Sequence, residues 1–303
     1  MKSILAHPPR PEALTRALRE IGPTWAEDIR AASERTKALY LPYLAASPRG
    51  DIEERRDIPY GTHPRQVLDV FRPSGASRAP VIAFVHGGAF VRGAKEVNAE
   101  MYANVLRWFA RHGFIGINIE YRLAPDAPYP GGAMDVALAC QWIERRAAEY
   151  GGDPARLCLV GHSAGGTHVA SYACDPALDA YECLPRSLVL ISARLRADVR
   201  PENPNAEGVR AYFGGDTELL AQRSPIVHAD RLTLPVFVVH AEYENPLLDH
   251  YALEFAHAVA RVQGRVPWYA MLADHNHMSI VAHFNTEEQW LGEQILGFCD
   301  RFL

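Results

Sequence analysis

Residues 157–166 read Leu157-Cys158-Leu159-Val160-Gly161-His162-Ser163-Ala164-Gly165-Gly166, and they constrain the fold more than any other stretch of the chain. The apolar residues read as a buried strand, and Gly-x-Ser-x-Gly follows directly, ahead of a helix-period pattern expected to begin at Thr167. A strand that turns straight into a helix around one serine strains that serine's backbone, and bulky neighbours would clash with it. The glycines remove those clashes. Such a turn also implies further strands beside the first, with helices to cover the resulting sheet.

The rest of the chain supplies them. Short apolar runs at Val81–His86, Phe114–Glu120, Ser187–Ser192, Pro235–His240 and Val266–Leu272 join Leu157–Gly161 as candidate strands. Several are almost continuous in Val, Ile, Leu and Phe, as expected of strands covered on both faces. Between them Met101, Val105, Trp108 and Phe109, and then Val136, Ala139, Trp142 and Ile143, recur at helical spacing. Thr286-Glu287-Glu288-Gln289 reads as a capping box that opens a last helix burying Leu291, Ile295 and Phe298. This alternation predicts a mostly parallel α/β sheet of eight strands with helices on both faces. Asp57–Tyr60 and Gln66–Phe71 flank a Gly-Thr-His-Pro turn and read as an antiparallel hairpin. Residues 1–50 read as helical, anchored by Trp25, Leu39, Tyr40 and Tyr43, and form a small cap over one end of the sheet. Residues 194–234, rich in Pro, Asn, Gly and Asp, read as loops. One domain over 1–303 is expected, because α/β folds run to this length as a unit.

Composition narrows the function classes. The net charge of −5 offers no basic surface for a nucleic-acid backbone. Arg55-Arg56 and Arg145-Arg146 read as solvated faces. No run approaches the roughly 20 apolar residues of a membrane span. The apolar stretch within Met1–Pro9 is too short for a signal-peptide core. Cysteines 140, 158, 174, 183 and 299 lack metal-ligand spacing and read as reduced, mostly buried thiols of a cytoplasmic protein, with a Cys174–Cys183 bridge as the less favoured alternative. A homodimer is compatible with all of this.

The serine at such a turn stands clear of the sheet, with the positive end of a helix aimed at it. A second segment, Phe84-Val85-His86-Gly87-Gly88-Ala89-Phe90, also follows an apolar strand directly. Glycines let backbone amides turn inward, as stabilisation of an oxyanion in acyl transfer requires. An acid and then a histidine should follow in chain order. Glu242, Glu244 and Asp249 stand beyond the strand Val236–His240, and His275 and His277 beyond the last strand. The group His275, His277 and His283 lacks the helical His pair with a carboxylate ligand expected of a zinc hydrolase, so neither metal nor cofactor is expected.

His86-Gly87-Gly88-Ala89-Phe90, Glu120-Tyr121-Arg122-Leu123-Ala124-Pro125 and Gly161-His162-Ser163-Ala164-Gly165-Gly166 together resemble the hormone-sensitive-lipase branch of the α/β-hydrolases. The C-terminal third resembles that branch's kynurenine formamidase (arylformamidase) relatives. The likeness covers about residues 57–303; it departs at Ala89, where a third glycine is usual, and in having no large lipase lid. It implies Ser163 as nucleophile and an oxyanion hole from Gly88, Ala89 and Ala164, with Gly87 shaping the turn. The Tyr-Arg-Leu-Ala-Pro segment would buttress that loop. It implies Glu244 as the acid, since Glu244-Asn245-Pro246 matches the layout in which the acid precedes a Pro-containing helix start. Asp249 is the alternative, expected to fall inside the helix. It implies His277 as the base, ahead of Met278 and Ser279, with His275 as the alternative.

The expected chemistry is attack of Ser163 on the carbonyl of a small-molecule acyl substrate, with activity rising with pH because only neutral imidazole accepts the proton. A carboxylesterase leads; an arylformamidase or other amidase uses the same machinery, and a non-catalytic receptor on the same fold is the reading from another class. Phe90, Tyr129, Tyr212, Phe213 and Trp268 are candidate pocket aromatics, or plain core.

Overall fold

The computed structural model describes residues 10–303, so the expectation about Met1–Pro9 lies outside the described residues. In chain order, the helices α1 (Glu12–Ile21) and α2 (Ile29–Ala46) precede the strands β1 (Ile52–Pro59), β2 (Val67–Pro73) and β3 (Ala79–Val85). Then come α3 (Ala103–Arg111), β4 (Ile115–Ile119), α4 (Gly131–Arg146), β5 (Gly152–His162), α5 (Ala164–Cys174) and β6 (Ser187–Ile191). The remainder is α6 (Ala206–Phe213), α7 (Thr217–Gln222), β7 (Val236–Tyr243), α8 (Leu248–Gln263), β8 (Trp268–Asn276), α9 (Ser279–Ala282) and α10 (Trp290–Phe302).

One eight-stranded sheet runs in the order β1-β2-β4-β3-β5-β6-β7-β8. β2 pairs antiparallel with both β1 and β4, and every later pairing is parallel. The pleat explains the apolar runs. In β3, Val81, Ala83 and Val85 face a core built with α4, α5 and α8, whereas Ile82 and Phe84 face a second core built with α1, α2, α3 and α10. Alternate side chains thus both meet apolar partners, and neither face of the strand tolerates a polar residue. Burying each large side chain in these layers stabilises the fold by ~1.5–3 kcal/mol.

β1 starts at Ile52, earlier than the hairpin reading placed it, and its residues alternate between partly buried and exposed. A charged outer face suits an edge strand, because it discourages pairing with another chain. Arg56 is no solvated charge: it pairs with Asp69 at 2.9 Å and Glu96 at 2.8 Å and lies 4.7 Å over the Phe71 ring.

Three further expectations are corrected. Residues 194–234 contain α6 and α7, which bury Val209, Tyr212, Phe213 and Leu220. Each has only about two turns, too few for a periodic pattern to emerge between Pro, Asn and Gly. The capping box at 286–289 does not form: Thr286 Oγ1 donates to the His283 carbonyl at 2.6 Å, Glu288 pairs with His275, and the helix starts at Trp290. Lastly, α5 begins at Ala164 rather than Thr167. The turn is a single residue because Gly165 lets the helix sit against β3; a Cβ there would lie 2.2 Å from the Val85 carbonyl oxygen.

The N-terminal helices lie against the β7–β8 end of the molecule: α1 packs on β8 and α2 on α9, with Trp25 and Tyr40 fully enclosed. Leu39 and Tyr43 are partly buried against the same core. Cys140, Cys158, Cys174 and Cys299 are buried free thiols, and Cys183 is exposed. Among the described residues, no helix is long and apolar enough to cross a membrane.

Candidate active site

All the segments singled out in the sequence emerge at the carboxyl ends of parallel strands, where open α/β sheets form their binding crevices. Ser163 sits between β5 and α5 at φ 55 and ψ −121, a region that costs an L-residue ~1–3 kcal/mol and persists only where the surroundings enforce it. Here they do. The Ser163 N–H donates to the Ile191 carbonyl at 2.9 Å, and its own carbonyl accepts from Thr167 at 3.3 Å.

The Ser163 hydroxyl lies 3.0 Å from His277 Nε2, and His277 Nδ1 lies 2.6 Å from Glu244 Oε2. With the carboxylate accepting at Nδ1, the imidazole presents Nε2 as an acceptor to the hydroxyl. The other Glu244 oxygen accepts from the Ala241 N–H at 2.9 Å and from the Ser192 hydroxyl. Burial acts to raise the Glu244 pKa, but His277, Ser192 and the Ala241 amide outweigh it and hold the carboxyl below its ordinary value. Ser192, a positive-φ residue just past β6, is a contributor that the sequence reading included only as a strand end.

The alternatives lie elsewhere. Asp249 falls in the first turn of α8 with a half-exposed side chain near His250. His275 is buried on the far side of its loop, 2.7 Å from Glu288 and 3.0 Å from Ser279 Oγ. His283 Nδ1 donates to the Ser279 carbonyl at 3.1 Å, so of the three histidines of this region only His277 meets Ser163.

The loop after β3 carries three consecutive positive φ values: Gly88 at 152, Ala89 at 49 and Phe90 at 71. It is braced from behind. Tyr121 donates to the His86 carbonyl at 3.0 Å and stacks on the His86 ring at 4.4 Å, Glu120 meets His86 Nε2 at 3.0 Å, and Ala124 N–H donates to the Phe90 carbonyl at 2.9 Å. Opposite this loop, α5 begins at Ala164, so its unpaired N-terminal amides and dipole face the Ser163 oxygen. Gly88 has no room for a side chain, since a Cβ would meet the Arg92 carbonyl oxygen at 1.8 Å. Gly88→Ala is therefore expected to shift the loop and lower kcat by ~10²–10³-fold, the loss associated with one misplaced oxyanion donor. Steady-state assay beside a thermal melt checks it; kcat within threefold of the parent would remove this loop from the reaction.

Ser163, His277 and Gly87–Ala89 form the floor of a cavity of about 850 Å³. Its outer wall comes from residues 25–30 with Ser33, Glu34 and Lys37, and Arg92 and Asn205 also line it. Of the two readings open for the aromatics, core holds for most: Phe90, Tyr212 and Phe213 are fully buried with Val209 and Leu220, and Tyr129 packs on that cluster. Trp268 lines a separate cavity of about 160 Å³ with Val266 and Phe298. Aromatic residue type does not distinguish a core from a pocket wall. Beneath the floor, His162 Nε2 donates to the His277 carbonyl at 2.9 Å.

The family described as BD-FAE matches residues 68–177, the span holding both the Gly88 loop and the Ser163 turn. Esterase LipQ of Mycobacterium tuberculosis is 28% identical over 265 residues, covering 81% of this chain and 62% of the relative. Esterase LipC of the same organism is 38% identical over 144 residues, covering 47% of this chain and 34% of the relative. The chain thus spans between about a third and under two thirds of the length of these curated relatives. Among solved structures, an esterase from Pyrobaculum calidifontis superposes with a TM-score of 0.71 at 24% identity, covering 96% of this chain and 98% of that one. With the sheet order above, this likeness establishes the α/β-hydrolase fold.

Proposed function

We propose that this chain is a serine carboxylesterase that forms an acyl-enzyme on Ser163. The observation that carries the reading is the unbroken path from the Ser163 hydroxyl through His277 to Glu244, with steps of 3.0 and 2.6 Å. His277 takes the serine proton as the oxygen attacks, then delivers it to the departing alcohol. The amides of Gly88, Ala89 and Ala164 receive the oxyanion. Glu244 stays ionised, fixes the tautomer and stabilises the imidazolium. Water then repeats the sequence to release the acid. The esterase names of the relatives support the same reading.

A formamide-cleaving activity uses identical machinery and is the finer alternative. It is favoured by the charged cavity wall, where Glu27, Asp28 and Glu34 stand with Arg30, Lys37 and Arg92, which suits a polar leaving group better than a fatty one. Purified protein assayed side by side on p-nitrophenyl acetate, a formanilide and N-formylkynurenine tests both. Ester turnover with a fluorophosphonate adduct on the intact mass is expected. A kcat/KM at least tenfold higher on the formamides would reassign the substrate class, and absence of both turnover and adduct would leave the fold as a non-catalytic receptor.

A further inference from the structure

Glu244 and His277 each have a chain neighbour held by the N-terminal helices. Next to Glu244, Asn245 Oδ1 accepts a 3.0 Å hydrogen bond from the Trp25 indole, and both side chains are buried. Next to His277, Asn276 Nδ2 donates at 3.0 Å to Thr36 Oγ1, and both residues are fully enclosed. Asn276 organises the turn that presents His277. Its Oδ1 accepts from the Met278 and Ser279 amides at 3.0 and 2.9 Å, and its own N–H donates to Ser279 Oγ at 2.8 Å. The Thr36 hydroxyl spends its proton on the Ala32 carbonyl at 2.8 Å, which leaves its lone pairs for Asn276. Just upstream, Asp274 sits at φ 62 and is paired by Arg10 at 3.2 Å and Arg19 at 3.0 Å, from the same N-terminal segment.

We propose that residues 10–46 are a positioning element for catalysis, in which Thr36 and Trp25, acting through Asn276 and Asn245, set the placement of His277 against Glu244. The inference rests on the triad reading above. The two triad loops leave the paired strands β7 and β8 and are joined through the backbone, where the His277 N–H donates to the Tyr243 carbonyl at 3.0 Å, which leaves the placement of the two side chains to what packs on the loops. Helix α2 and the turn before it add a side-chain hold on each loop, Thr36 on Asn276 and Trp25 on Asn245. Productive geometry must hold to within ~0.5 Å, and a displacement of ~1 Å can cost ~10²-fold in rate. Thr36 lies outside the cavity wall, so its contribution separates from substrate contact, whereas Trp25 belongs to that wall.

The test is Thr36→Val, which keeps the shape and removes the hydroxyl, with Thr36→Ser as the rescue and Trp25→Phe as a second probe. Rates are measured per active site, titrated with a small fluorophosphonate, so that unfolded protein does not count. Thr36→Val is expected to lower kcat on p-nitrophenyl acetate about tenfold, with KM within about twofold and a parallel fall in the phosphonylation rate. Thr36→Ser should recover most of it. A per-site kcat within twofold of the parent in both Thr36→Val and Trp25→Phe would overturn the proposal, as would a Thr36→Ser variant no better than Thr36→Val. Ser163→Ala run alongside separates the two levels: if it retains turnover the triad reading fails, and if it alone is inactive only the positioning role fails.

Discussion

Ser163→Ala is expected to lower kcat on a p-nitrophenyl ester by roughly 10⁵–10⁶-fold while moving the thermal transition by only a few degrees. The size follows from losing the atom that bonds to the acyl carbon; what survives is the weaker assistance of the oxyanion amides and of substrate binding. The small stability effect follows from the geometry. Alanine and serine carry the same Cβ and meet the same strain at φ 55. The one lost contact is the 3.0 Å bond to His277, worth ~0.5–1.5 kcal/mol, or roughly 1–6 °C for a chain of this size. Steady-state rates, calorimetry and the intact mass after fluorophosphonate treatment check it together. Turnover within a hundredfold of the parent would take Ser163 out of the mechanism.

Two histidines separated by one residue should divide the two properties between them. His277→Ala is expected to reduce kcat by a factor comparable to loss of the serine, because nucleophile and base act as a unit. His275→Ala should leave per-site kcat within about tenfold and instead strike stability. Its partner Glu288 is enclosed, with a side chain 1% exposed. Burial alone would raise that carboxyl's pKa, yet His275, aided by His283 and Arg10, holds it down to about 2, so it remains charged in the core. Removing His275 takes away the strongest of the groups that hold this charge, and breaking a buried pair costs ~3–5 kcal/mol. Melting temperatures and titrated rates on both variants decide. A larger per-site kcat loss in His275→Ala would reassign the base.

These expectations trace back to how unevenly the sequence exposes its own fold. The central strands are legible because a strand covered on both faces admits only apolar residues, which β3, β5, β6 and β7 display. The Ser163 turn is legible because steric strain dictates small neighbours. Glu244 and His277 are harder: chain order narrows them to Glu242, Glu244 or Asp249 and to His275 or His277, and only the likeness to known hydrolases selects within each set. The two histidines look alike in sequence, and they differ in the carboxylate each ring meets, Glu288 for His275 and Glu244 for His277. Helices α6 and α7 are illegible for lack of length. The aromatics left open between pocket and core show the same limit: Phe90 and Tyr212 stack at 4.9 Å inside a closed cluster, and nothing local distinguishes that from a pocket.

His162, inside the Gly-x-Ser-x-Gly turn, has a consequence for charge during turnover. Burial, reinforced by His277, pushes its pKa down to about 3, and its ring centre lies 4.9 Å from that of His277. An acyl transfer of the proposed kind creates a transient positive ring at residue 277. A neighbour able to hold a proton of its own would repel that cation at the instant it forms. Residue 162 stays neutral across the working range, so it acts as a silent spacer and leaves the whole of the carboxylate's attraction for the one ring that cycles.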